Sequence, residues 1–340
     1  MLQSWNKLCF KGGRLEASIS LPGSGDIEGF WPGFWVMGNL GRPGYAATTD
    51  GMWPYSYWDQ CDAGITANQS SSDGISWLPG MRLPACTCSG ADHPTPGNSR
   101  SAPEIDVIEA SVGYLGGAGQ FGGGVGSASQ SFQVAPYDIF YSPDYNYVEV
   151  YNDEITSMNV YRGGPYQEAF SAVSWLNTDW YDGNAYQKYG IEYLPGATGD
   201  LSWFVGDEYT WKIDHRSLRP NGNIGQRVIP EEPMSIVVNF GISNTFAQVF
   251  LANLAELLPA TMRIDYIRVY QDPSQVSVTC DPDGYETTEY INQHPDAYNV
   301  SNFLSAIGHL LTAWQNPNVT FWKDAGYSWP SNTLVDNCSS

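Results

Sequence analysis

The stretch "GGRLEASISLPG" constrains the fold more than any other part of the chain. Leu15, Ala17, Ile19 and Leu21 alternate with Arg14, Glu16, Ser18 and Ser20 until Pro22-Gly23 ends the run. Alternation of period two marks a half-buried antiparallel strand. Strand-like runs recur at "YNYVEVYN", "QKYGIEYLP", "LSWFVGDEYTWKI", "EPMSIVVNFGIS" and "MRIDYIRVYQD". Helical periodicity is scarce. "QVFLANLAELL" is one short candidate, and "NVSNFLSAIGHLLTAW" is another, with an apolar stripe of Phe303, Leu304, Ile307, Leu310, Leu311 and Trp314. Many short strands joined by Gly- and Pro-rich turns point to an all-β sandwich. Such sandwiches commonly run to about 200–250 residues as a single domain, so a 340-residue chain is expected to hold one main domain and an appendage.

The organisation follows from shifts in composition. "GFWPGFWVMG" packs aromatics around Pro32, and residues 38–103 are then rich in Gly, Ser, Pro and Asp, which reads as a long insertion loop. "GYLGGAGQFGGGVGSAS" is too rich in glycine for a regular strand interior and reads as a rim loop. From Asp272 onward the sequence is turn-rich, so residues 1–271 are assigned to the sandwich and 272–340 to an appendage docked on it. "DPDGYETTEY" starts like a calcium loop, but its Gly stands fourth rather than sixth and Asn292 occupies the place of the bidentate Glu. A simple turn is the better reading.

A formal charge of −21 with only 15 Lys and Arg excludes nucleic acid as a partner, because phosphate binding needs clustered cations. Neutral substrates stay open, and 13 Trp with 22 Tyr suggest sugar-stacking surfaces as well as core. Six cysteines without a CxxC pair and four scattered His leave no legible zinc site, so neither a metal nor another cofactor is expected. Disulfides are expected instead. Cys86 and Cys88 lie too close together to favour bonding each other, so one is expected to join Cys61 and Cys280 to join Cys338, among the 15 pairings that six cysteines allow. Sequons at Asn68, Asn299, Asn318 and Asn337 agree with a secretory lumen. No run reaches the roughly 18 apolar residues of a membrane span. The N-terminus lacks a signal-peptide pattern, so targeting information is expected to lie outside this sequence.

The chemistry concentrates in "APEIDVIEASVG", where Glu104, Asp106 and Glu109 sit in what otherwise reads as a buried strand. Strict alternation puts Glu104 and Asp106 on one face and Glu109 on the other. One extra residue around Val107 and Ile108, a β-bulge, brings all three acids onto one surface. Retaining glycoside hydrolysis uses two carboxyl groups about 5–5.5 Å apart, one ionised and one protonated. Crowding by a third carboxyl separates their proton affinities. A solvated edge-strand face or a calcium site are the other readings of the same six residues.

In their order along the chain, "GGRLEASISLP", "FWPGFWVMG", "EIDVIE", "LSWFVGDEYTW", "PMSIVVNFGI" and "MRIDYIRVYQ" resemble the family-16 glycoside hydrolases, the group that includes laminarinases. "GNLGRPGYAATTDGMWPYSYWDQCDAGITANQSSSDGIS", "CTCSGADHP" and the closing tail are similar to the fungal β-glucan synthesis-associated proteins, which are involved in making cell-wall β-1,6-glucan. The broad resemblance spans Leu2 to Asp272, and the narrow one reaches Cys338. It implies a concanavalin-like jelly-roll β-sandwich of two antiparallel sheets, with Glu104 as nucleophile, Asp106 as assisting carboxylate and Glu109 as general acid/base. Trp31, Trp35 and Trp203 resemble cleft aromatics. The implied partner is β-glucan, at the secretory lumen or cell surface, with membrane contact only through an N-terminal anchor of a type II protein. That anchor and an early strand are expected to be absent from this chain. Ala110-Ser111 follow Glu109 where the hydrolases often carry His. A retaining glycosidase or transglycosylase is therefore the leading expectation. A glucan-binding scaffold without turnover is second, and a lectin-like sandwich third.

Overall fold

The computed structural model describes residues 1–45, 48, 86–113, 124–134, 141–164, 167–220, 226–244, 246–247, 249, 251–299, 322, 325–328, 330–331, 333 and 336–338. The helix expected over 299–314 and Cys61 lie outside the described residues, apart from Asn299. Fifteen strands are described: β1 (Leu2–Gln3), β2 (Cys9–Phe10), β3 (Gly13–Ser20), β4 (Trp31–Gly38), β5 (Glu104–Gly113), β6 (Val125–Val134), β7 (Val148–Val150) and β8 (Thr156–Met158) come first. They continue with β9 (Gly163–Gly164), β10 (Gln167–Trp175), β11 (Gln187–Leu194), β12 (Asp200–Val205), β13 (Glu208–Asp214), β14 (Met234–Gly241) and β15 (Arg263–Tyr270). The described helices are α1 (Leu251–Leu257), α2 (Thr288–Gln293) and α3 (Pro295–Tyr298). The expected strand runs and the "QVFLANLAELL" helix are therefore present.

All pairings within the two sheets are antiparallel. One sheet has the order β1-β14-β4-β5-β6-β10-β8, with β2 on β14 and β9 on β10, and the other has the order β15-β3-β11-β12-β13-β7. The fold is a jelly-roll β-sandwich. Its core is the set of alternate side chains that the sequence pattern marks: Leu15, Ala17 and Ile19 from β3 meet Phe34 and Val36 from β4 and Ile105, Val107, Ile108 and Ala110 from β5. Glu16, Ser18 and Ser20, on the other side of β3, are buried too. Glu16 accepts hydrogen bonds from Arg14 and from the hydroxyls of Tyr266 and Tyr270, which satisfies its carboxylate.

The rim-loop reading of "GYLGGAGQFGGGVGSAS" is corrected over residues 125–129, which open β6 between β5 and β10. Composition misled there. Gly126 lies where a Cβ would come within 2.4 Å of the Tyr181 hydroxyl, so the strand uses glycine for close approach rather than for a turn.

The segment that joins β4 to β5 leaves after Gly38 and comes back to the sheet at Pro103. The Gly38 N–H donates to the Pro103 carbonyl at 2.8 Å, closing the neck. A Cβ on Gly38 would stand 2.6 Å from Pro103 Cδ. The tail packs at this same end of the first sheet: Tyr290, Ile291, Ala297, Tyr298 and Trp322 form a second cluster with Met37, Leu40 and Ala102. Asp281, the first acid of the calcium-like stretch, accepts from the Thr287 and Thr288 amides and the Thr288 hydroxyl, and so ties down the start of α2.

The expected Cys280–Cys338 bond is not the one formed. Cys280 bonds Cys9 on β2, and Cys338 bonds Cys88 in the returning arm of the insertion. The reason is the path of the tail: it first runs beside β2, where the Lys11 N–H donates to the Ser277 carbonyl, and its later residues meet the segment around Cys86 and Cys88. Cys88 N–H donates to the Ser331 carbonyl, and Thr333 N–H to the Cys86 carbonyl, along that second stretch. Cys86 is also disulfide-bonded.

Candidate active site

The strand β5 is an interior strand, paired on both sides, so the edge-strand reading of its acids fails. On the β6 side Asp106 faces Ser131 and Glu109 faces Ser129, leaving Val107 and Ile108 opposite a single residue. On the β4 side Trp35 faces Asp106 and Phe34 faces Ile108, and Val107 has no partner. This is a β-bulge at the position that the off-phase glutamate requires. Val107 and Ile108 both point into the core and are fully buried. Glu104, Asp106 and Glu109 consequently share the face turned away from the core.

Glu104 and Glu109 line a cleft of about 620 Å³, together with Trp31, Phe246 and the side chains of β6 and β10. Asp106 is 1% exposed, in the strand position between the two glutamates. Gln133 Nε2 donates to Asp106 Oδ2 at 2.8 Å. Burial pushes the Asp106 carboxyl well above the usual carboxylate range, the Glu104 charge and a shared Glu104 hydrogen bond add to this, and Gln133 opposes it. Asp106 and Glu104 thus share a proton-holding hydrogen bond inside the sheet face, with the Asp106 proton affinity raised.

Burial also raises Glu109, to about 8, with a further contribution from Asp106 that acts only when Asp106 is ionised; the Trp31 hydrogen bond works in the other direction. Trp31 Nε1 donates to Glu109 Oε1 at 3.1 Å. Glu109 therefore binds its proton up to about pH 8.

A raised carboxyl binds its proton more tightly in the folded state than in the unfolded one. Its contribution to stability is fully present below about pH 4.5 and is lost as pH rises through about 8. Wild type should lose on the order of 1–3 kcal/mol more stability than Glu109→Gln between pH 5 and pH 8.5 in denaturant titrations, the figure being reduced for the partial exposure of the group. Trp31→Phe removes the opposing hydrogen bond, so the alkaline limb of any Glu109-dependent activity should move to higher pH.

The three tryptophans separate. Trp31 lines the cleft, and its ring is stacked on Phe246 with centroids 4.5 Å apart. Trp35 lies on the same sheet face opposite Asp106, packs against the cluster shared with the tail, and donates from Nε1 to Asn239 Oδ1 at 2.6 Å. Trp203 is a correction: it is wholly buried in the sandwich core, stacked on Trp211 at 4.0 Å, and touches the cleft nowhere. Its Nε1 donates to the Asp106 carbonyl at 2.9 Å and so satisfies a backbone acceptor at the bulge from the core side. Leu201, Trp203 and Val205 alternate inward along β12, a pattern that places Trp203 with the core.

Gln133, Ser127, Ser129, Ser131, Ser171 and Phe246 are cleft residues that sequence reasoning missed. The signal was present in "VGSASQSFQV", where Ser127, Ser129, Ser131 and Gln133 alternate with Ala128, Gln130, Phe132 and Val134. Among the described residues no group of His, Cys, Asp and Glu is arranged to hold a metal ion.

The described residues thus form a jelly-roll sandwich that carries a bulged acidic strand across a cleft. The model of the beta-glucan synthesis-associated protein SKN1/KRE6/Sbg1 family matches residues 1–338. The chain belongs to that family. It is 52% identical over 345 residues to the beta-glucan synthesis-associated protein KRE6 of Saccharomyces cerevisiae, covering 100% of this chain and 44% of that relative. It is 50% identical to the beta-glucan synthesis-associated protein SKN1 of Candida albicans, covering 98% of this chain and 42% of the relative. The chain thus spans less than half the length of the curated relatives it matches. Among solved structures, the endo-beta-1,3-glucanase from Pyrococcus furiosus aligns at 15% identity and a TM-score of 0.38, over 80% of this chain and 63% of that one. A laminarinase from Flavobacterium sp. UMI-01 aligns at 15% identity and a TM-score of 0.34, over 79% and 71%.

Proposed function

We propose that this chain is a retaining glycosidase or transglycosylase acting on β-glucan in the biosynthesis of fungal cell-wall β-1,6-glucan. The observation that supports it most is the bulged strand, which turns Glu104 and Glu109 into one cleft while burial keeps Glu109 protonated. Glu104 attacks the anomeric carbon, the bond from that carbon to the leaving oxygen breaks, and Glu109 gives its proton to that oxygen. Asp106 steadies the Glu104 carboxylate through their shared hydrogen bond. Ionised Glu109 then takes a proton from water or from a glucan hydroxyl, whose oxygen displaces Glu104 from the sugar. Burial of Asp106 beside Glu104, with no metal-holding group among the described residues, favours chemistry over passive binding, since crowded carboxyls serve a binder poorly. A lumenal or cell-surface location fits the disulfides and the sequons at Asn299 and Asn337.

Incubation with laminari- and gentio-oligosaccharides, followed by mass spectrometry, tests this. Longer products are expected for transfer and shorter ones for hydrolysis. Unchanged oligosaccharides that nevertheless bind would replace the enzyme with a glucan-binding scaffold.

A further inference from the structure

Among the described residues, two buried polar groups that border the cleft lack partners. Gln133 is 6% exposed and Ser171 is 3% exposed, and both border the cleft. Gln133 Oε1 and Ser171 Oγ have no hydrogen-bond partner among the described residues. The Gln133 amide is oriented by its bond to Asp106: the nitrogen is used there, so the oxygen is left as a fixed acceptor. An acceptor of this kind needs a hydroxyl or an amide N–H. Ser171 stands on β10 directly across from Ser131 of β6, two residues from Gln133 along that strand. A buried polar group without a partner is costly, and a ligand hydroxyl that meets it regains that cost.

The rest of the lining narrows the ligand's chemistry. Trp31 and Phe246 supply an aromatic wall and β6 and β10 a floor of small hydroxyls, while among the described residues no Lys or Arg lines the cleft. A pyranose has apolar C–H faces and a rim of hydroxyls, which matches a wall of rings and a floor of serines. A carboxylate or sulfate ester on the sugar would meet the Glu104 charge with no Lys or Arg among the described lining residues to offset it.

Resting on the proposed glucan-active reading, we infer that Gln133 and Ser171 form a hydroxyl-recognising subsite that positions a neutral oligosaccharide beside Glu104 and rejects its anionic counterparts. Neither residue reacts. Gln133 acts both on the sugar and, through Asp106, on the nucleophile, whereas the Ser171 hydroxyl makes no hydrogen bond to the three acids and isolates the sugar contact.

The test is calorimetric binding in the Glu109→Gln background, which removes turnover on natural linkages while leaving the Gln133 bond to Asp106 in place. The probes are laminari- and gentio-tetrasaccharides, their singly deoxygenated analogues, and versions in which a free primary hydroxyl (in the gentio series, that of the non-reducing end) is oxidised to a uronate. Ser171→Ala should weaken neutral binding about 5- to 10-fold and Gln133→Met about 10-fold or more. One deoxygenated analogue should bind the parent more weakly yet bind Ser171→Ala no worse than the full sugar does. The uronates should bind at least tenfold more weakly than the neutral sugars. If the parent binds the neutral sugars and both variants, each with an unchanged melting temperature, bind within twofold of it, the subsite is refuted and the glucan reading stands. Equal affinity for uronates removes the discrimination against charge. A parent that binds no neutral glucan overturns the glucan reading together with the subsite.

Discussion

Glu104→Gln should lower turnover of β-glucan by several orders of magnitude while leaving glucan binding intact. The change keeps the size and much of the hydrogen bonding of the side chain but removes the anionic nucleophile, which both chemical steps need. Glu109→Gln should behave differently. A substrate whose leaving group needs little protonation should still load Glu104, and without a general base the glycosyl ester should persist long enough to appear as an added sugar mass on the protein. Rates with natural and activated substrates, together with intact-protein mass spectrometry, separate the two roles. Equal loss on both substrates in Glu109→Gln, with no adduct, would reject the assignment.

The second large effect is on stability. Arg100 and Glu232 form a bidentate pair, with Nε to Oε1 at 2.9 Å and Nη2 to Oε2 at 3.0 Å, and their side chains are 0% and 2% exposed. Arg100 Nη1 also donates to the Glu286 carbonyl in the tail, and the Ser101 amide donates to Glu232. One ion pair thus joins the returning arm of the insertion, the approach to β14 and the tail. Removing one partner leaves a buried charge without its counterion. Arg100→Met or Glu232→Gln should each cost about 3–5 kcal/mol in urea unfolding, and the double change Arg100→Met with Glu232→Leu should cost much less than the sum of the single changes. Additive losses in the double variant would show that the pair is not coupled.

Much of the sandwich was legible because a strand writes its two faces into alternate residues. Leu15, Ala17 and Ile19 needed no neighbour to reveal that they face a core. The bulge was legible for the same reason: Glu109 is out of phase with Glu104 and Asp106, and one inserted residue is the smallest repair. Glycine hid β6, because glycine serves both loops and close packing, and local sequence does not distinguish the two uses. The serines of that strand then passed unnoticed, although their own alternation was intact.

What the sequence alone determined, then, is whatever has a local period: the strands, their buried faces, and the common face of the three acids. Tertiary structure decided everything that depends on which distant segments meet. The disulfides close across 271 and 250 residues, distances at which spacing carries no information on pairing. Trp203 went to the core rather than the cleft because its strand belongs to the opposite sheet, whose inner face looks at the back of β5. The proton on Glu109 is a tertiary property as well. It depends on how completely Trp31 and the neighbouring strands exclude water from one carboxyl, and exclusion of solvent is a sum over the surroundings that no single stretch of chain encodes.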